Sequence, residues 1–179
     1  MNSMLVKYCQ YAKYENVRVT IPRTVVVATD YFDAFIRNNG LEYVLTTEMT
    51  DEEILSEFVS STLPYKLREA LKAYVRTVSG PLAVRSSSKL EDSHYQPFAG
   101  IYSTYMIPYT EGNEDRQLRL LQKAIKSVYA STYFAASKAY VQSSQNLIAE
   151  EKMAVVIQEV CGTEQDGLFF PTLSGVARS

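Results

Sequence analysis

The sequence predicts an α+β fold, and three observations carry the prediction. Apolar, β-branched runs at 17–29, 81–87 and 152–162 read as strands. Stretches at 64–80 and 113–134 repeat apolar residues every three or four positions, the period of an amphipathic helix. Strands and helices do not alternate strictly, which argues against a parallel βαβ sheet.

Each element has a local reason. "VRVTIPRTVVVAT" (17–29) is strand, with Pro22 at a bend or an edge. "DYFDAFIRNNG" (30–40) is a short helix, with Asp30 as its N-cap and Asn39-Gly40 as its stop. "TDEE" (50–53) has the form of a capping box ahead of "ILSEFVSSTL". In "PYKLREALKAYVRTVSG" the residues Leu67, Leu71, Tyr74 and Val78 mark one buried helical face ending near Ser79-Gly80. "PLAVRSS" and "GIYSTYMIPY" (100–109) are strands. "NEDRQLRLLQKAIKSVYASTYF" is the longest helix, with Leu118, Leu121, Ile125 and Val128 on one face and acids at its positive end. A second helical segment continues through "AASKAYVQSSQ", "KMAVVIQEVCG" is an apolar strand, and "GLFFPTLSGVARS" adds at least one more.

Composition narrows the function. The 179 residues, 46% hydrophobic and 21% charged, suffice for one packed domain or two small lobes sharing a core. A net charge of -2 supplies no basic field for nucleic acid. Cys9 and Cys161 are far apart, and with a single histidine a His/Cys zinc site is close to excluded. No apolar run approaches the roughly 20 residues of a membrane span, and no secretion signal is visible, so a cytoplasmic protein with reduced thiols is expected. Both ends look abrupt, which suggests part of a longer protein.

Chemistry concentrates in "PLAVRSSSKLEDSHYQPFAGIYSTY" (81–105). Strand alternation turns Leu82 and Val84 inward and puts Ala83 and Arg85 on the opposite face. Arg85 offers a planar fork to carboxylate or phosphate; a salt bridge with Glu91 or Asp92 is the competing reading. The serines 86–88 suit either an anion or a solvated turn, and neither a P-loop nor a Rossmann fingerprint is present. Glu91 and Asp92 could ligate Mg²⁺ but read more simply as a solvated loop. His94 titrates near neutral pH, yet it lacks an orienting partner and reads as a bystander. Gly100 stands where a backbone must come close to something, and Thr104 follows with Tyr102 and Met106 on its face. In "VVIQEV", Gln158 shares a face with Val156 and Val160, so it needs a hydrogen-bond partner: a nucleotide hydroxyl or a backbone group.

Together these segments resemble a known family. "AVRSSSKLEDSHYQPFAGIYSTY" resembles the V-R-S-S-x-x-x-E-D-x-x-x-x-S-F-A-G-x-x-x-T motif of phosphoenolpyruvate synthases and pyruvate phosphate dikinases. "MAVVIQEVCG" is similar to that family's M-A-V-x-V-Q-x-M-V strand, "IPRTVVVATDYFDAFIRNNGL" to its V-P-x-G-F-V-I-T-T-x-A-Y-x-x-F segment, and "SGVARS" to its S-G-V-A-F-S. The blocks are collinear and cover most of the chain.

The resemblance implies an ATP-grasp-like fold with a mixed, mainly antiparallel sheet and packed helices. Residues 1–179 would be part of the ATP-binding domain, with possible sub-lobes 1–80 and 81–179. Arg85 would contact the nucleotide phosphates, Gly100 would let the backbone approach ATP, and Thr104 would add a hydroxyl. Gln158 would sit beside the nucleotide, with the Glu159–Val160 backbone next to adenine. No catalytic residue and no metal ligand is expected within the chain; the family's Gly-Gly-Lys segment and its Mg²⁺ ligands are expected outside it. The parent would phosphorylate a carrier histidine on another domain and then pyruvate, without nucleic-acid or membrane partners. Pro97 in place of serine and "GIYST" in place of G-Q-x-E-T depart from the pattern. A related antibiotic phosphotransferase and a degenerate, non-enzymatic nucleotide-binding module are the alternatives.

Overall fold

In the computed structural model, residues 21–88, 102–143 and 152–175 are described. The chain runs β1 (Thr24–Val27), α1 (Thr29–Asn39), a 3₁₀ turn (Leu41–Leu45), α2 (Asp51–Ser60), α3 (Tyr65–Val75), β2 (Leu82–Ser88) and β3 (Tyr105–Ile107). It continues through α4 (Glu114–Ser131), α5 (Ala135–Ser143), β4 (Met153–Glu159), β5 (Thr163–Gln165) and β6 (Leu168–Phe170). The fold is α+β. Four strands form one sheet in the order β1-β4-β2-β3, β5 and β6 form a separate hairpin, and every pairing among the described residues is antiparallel.

The local signals mostly hold. Thr50 Oγ1 accepts from the Glu53 N–H at 3.2 Å while the Glu53 carboxylate accepts from the Thr50 N–H at 2.8 Å, so the capping box starts α2. Gly40 stops α1 at φ 62°, a left-handed value that glycine adopts without strain. Asp30 differs: the N-cap is Ala28, and Asp30 lies in the first turn, where its charge still meets the helix dipole. Helix α3 ends at Val75, short of Ser79-Gly80, and Val78 is buried from the turn that follows. The strand expected over 100–109 is only Tyr105–Ile107 among the described residues.

One core joins residues from both sides of position 80. Helix α4 buries Leu121, Ile125 and Val128; it touches β2, β3 and β4 and carries α2 and α3 on its other side. Phe32, Phe35, Phe58, Tyr129 and Tyr133 form a ring cluster whose centroids lie 5.0–6.3 Å apart. The half-buried Lys126 ammonium donates to the Val59 and Ser61 carbonyls at the end of α2, where the helix dipole favours a cation.

Burial pushes the phenols of Tyr129 and Tyr133 well above their ordinary value of 10.0; the Asp33 and Glu42 carboxylates add to the effect at Tyr133. An unfolded chain ionises these groups near pH 10 and the folded one holds the protons. Their contribution to stability is therefore complete below about pH 10 and is lost above it, by up to about 1.4 kcal/mol per pH unit for each phenol. Denaturant unfolding between pH 9 and 11 should show this slope, and Tyr129→Phe should remove about half of it. Among the described residues the Tyr129 hydroxyl has no hydrogen-bond partner, so the same substitution should cost little at neutral pH.

Candidate functional site

Alternation gives the sheet two unlike faces. Leu82 and Val84 of β2 and Met153, Val155 and Ile157 of β4 are buried beneath the helices. The other face is open among the described residues: Val26 and Met106 are 60% and 62% exposed on it. Strand register arranges this face in rows. Thr24, Gln158, Ala83 and Met106 form one row across all four strands, and Val26, Val156 and Arg85 form the next. Arg85 and Gln158 are thus diagonal neighbours on adjacent strands, roughly 7–8 Å apart at the backbone.

The inward pair Leu82/Val84 and the outward Arg85 fall where the alternation puts them. Arg85 is exposed, and its guanidinium has no ion-pair partner among the described residues. Gln158 donates from Nε2 to Thr24 Oγ1 at 3.1 Å, and Thr24 Oγ1 in turn donates to the Pro22 carbonyl at 3.0 Å. Its hydrogen-bond partner is therefore a hydroxyl on the next strand, and the face it occupies is the open one. The apolar face of β4 is Met153, Val155 and Ile157.

Thr104 is exposed immediately before β3, next to Tyr105, which registers with Val84, the neighbour of Arg85. Tyr102 does not share its face: it is buried, because it precedes the strand and strand alternation does not extend to it. Gly100, with Glu91, Asp92 and His94, lies outside the described residues.

The end of β4 turns two ways. The Glu159 side chain points to the side opposite Gln158, where Arg23 Nε lies 3.6 Å from Oε1. The Glu159 N–H donates to Arg23 O at 3.0 Å and the Val160 N–H to Pro81 O at 2.9 Å, so both amides are committed to the sheet. Val160 lines a cleft of about 480 Å³ with Met106, Pro108, Tyr109, Leu168 and Phe169. That volume lies within the range of small-molecule clefts. The hairpin β5–β6 forms one wall of it, and Gly162 lets the hairpin approach: a Cβ there would meet Phe170 C at 2.8 Å and Phe169 Cε1 at 2.9 Å. Gly162→Ala should displace the hairpin, and chymotrypsin should then cut after Phe169 faster than in the parent sequence; the bond after Phe170 is protected by Pro171.

The cleft and the Thr24 partner of Gln158 were not read from the sequence, because Met106, Tyr109 and Leu168, like Thr24 and Gln158, are far apart along the chain; the hairpin was missed although its Asp166-Gly167 turn, both residues at positive φ, is a local signal. Among the described residues no group of three or more His, Cys, Asp and Glu side chains could hold a metal ion. No helix among the described residues is long and apolar enough to cross a membrane.

A sheet with one face under helices, and the other offering a guanidinium, an amide and an apolar cleft, defines a domain for a ligand with a charged end and a flat end. That is the class of nucleotide-binding domains. The comparisons make it particular: residues 4–179 match the family described as pyruvate phosphate dikinase, AMP/ATP-binding domain, and the chain belongs to it. The chain is 31% identical over 157 residues to the uncharacterized phosphotransferase YvkC of Bacillus subtilis (strain 168), covering 84% of this chain and 17% of that protein. It is 29% identical over 174 residues to a phosphoenolpyruvate synthase of Aeropyrum pernix, covering 85% of this chain and 20% of that protein. The chain thus spans about a fifth of the length of these relatives.

Proposed function

We propose that this chain is the ATP-binding part of a phosphoenolpyruvate-synthase-like phosphotransferase in the cytoplasm. In this reading Arg85 binds the nucleotide phosphates and Gln158 the neighbouring polar groups. The Glu159–Val160 backbone flanks adenine in the cleft, and Gly100 and Thr104 complete the wall. The parent transfers a phosphoryl group from ATP to a carrier histidine on another domain, and that histidine passes it to pyruvate. Mg²⁺ would be held by ligands outside this chain and would neutralise phosphate charge.

The observation that carries the reading is the placement of Arg85 and Gln158 on adjacent rows of one open face that leads to the Val160 cleft. The two lie in separate motifs, 73 positions apart (158 − 85), and the sheet brings them together.

Phosphoryl transfer depends on charge neutralisation by several cationic groups at once, so the isolated chain should bind ATP weakly or undetectably in titration calorimetry with Mg²⁺. Tight micromolar binding would count against an incomplete site. The full-length protein, given labelled ATP, should acquire an acid-labile phosphohistidine and pass the label to pyruvate. A label that appears only on a drug, or on nothing, would sink the proposed acceptor.

A further inference from the structure

We infer that Arg23, Tyr74 and the Glu159 carboxylate form a positioning clamp beneath the nucleotide-facing end of β4, one that sets how Gln158 and Val160 meet the ligand. The inference rests on the ATP-site reading above and adds to it side chains that touch no ligand.

Three elements converge on one carboxylate. Arg23, at the start of the sheet, lies 3.6 Å from Glu159 Oε1, and its Nη1 donates to the Thr77 carbonyl at 2.7 Å, tying it to the turn after α3. Tyr74, in the last turn of α3, is close enough that the Glu159 carboxylate raises its pKa, after the larger effect of burial. Backbone bonds hold the same point, from the Glu159 N–H to Arg23 and from the Val160 N–H to Pro81.

The hydrogen bonding of this cluster is incomplete. Tyr74 Oη and Glu159 Oε1 are both buried and, among the described residues, neither has a hydrogen-bond partner; the 3.6 Å contact with Arg23 is longer than a hydrogen bond. The ion pair is partly exposed, with the Arg23 and Glu159 side chains 53% and 23% accessible, so it contributes little to stability. A half-satisfied polar cluster at the partly exposed end of the sheet calls for an explanation other than stability. Its address supplies one. In a strand, neighbouring residues point to opposite faces, so the rotation that fixes Glu159 inward also fixes Gln158 outward and Val160 at the cleft. The clamp holds the side chain that no ligand touches, and so orients the two that face it.

A structural role and a positioning role predict different results for the full-length protein. Tyr74→Phe and Glu159→Gln keep side-chain shape, so both variants should fold, with a thermal midpoint equal to or above that of the parent. Both should weaken ATP binding about three- to tenfold and narrow the preference for ATP over GTP, because the backbone beside the base is no longer fixed. For Tyr74→Phe, whose side chain touches no ligand, the turnover rate at saturating ATP should stay within about twofold. The exchanged pair Arg23→Glu with Glu159→Arg should recover part of the affinity that either change alone removes. A lower midpoint with unchanged ATP affinity and unchanged ATP/GTP ratio would overturn the clamp while leaving the site standing. Failure of the parent itself to bind ATP would overturn the site and the clamp with it.

Discussion

Arg85→Ala should weaken ATP binding by the full-length protein about tenfold to a hundredfold without loosening its fold. The magnitude follows from the chemistry: a guanidinium on phosphate oxygens makes charge-assisted hydrogen bonds worth about 1.5–3 kcal/mol, and each 1.4 kcal/mol is tenfold in affinity. Stability is spared because the side chain is exposed and the β2–β4 ladder at Arg85 and Val156 uses only backbone. Arg85→Lys should fall between, keeping the charge and losing the planar fork. Titration calorimetry gives the affinity and thermal unfolding the control. An unchanged affinity for Arg85→Ala would remove the phosphate assignment, and with it the main support for an ATP site on this face.

Phe58→Ala should have the largest effect on the fold, a loss of about 3–5 kcal/mol. Phe58 is fully buried; its ring sits 5.7 Å from Phe35 and 5.4 Å from Tyr133, so truncation opens a cavity between α1, α2 and the end of α4. Domains of this size have about 5–15 kcal/mol in all, so the variant should lie near its unfolding midpoint at 37 °C. Urea unfolding should show the midpoint shift with an unchanged slope. A loss below 1 kcal/mol would mean that the aromatic cluster collapses to fill the space.

Much of this was legible because it is written in neighbouring residues. The capping box at Thr50 and Glu53, the left-handed stop at Gly40 and the inward Leu82 and Val84 each depend on residues within four positions. Arg85 and Gln158 could be named from motif resemblance and placed on faces by alternation, although their shared sheet face needed the β2–β4 register. The rest depends on distant partners. Among the described residues the strand expected over 100–109 covers only Tyr105–Ile107, and Tyr102, which precedes it, is buried. Arg23 and Glu159 are 136 positions apart (159 − 23), and nothing local to either announces the other. The cleft is as hidden: its walls come from β3, the end of β4 and the hairpin beyond it.

The strand order β1-β4-β2-β3 has a consequence for how the protein is made. The strand that joins β1 to β2 is the last of the four to leave the ribosome. Until residue 159 has emerged, the β-branched "TVVV" of β1 has no strand partner among the described residues, and β2 has only the three residues of β3. Synthesis at roughly 5–20 residues per second leaves those edges open for several seconds, long enough for chaperones or neighbouring nascent chains to find them. A ribosome stalled before Met153 would therefore display a helical half with a loose sheet, and one stalled beyond Glu159 a closed one.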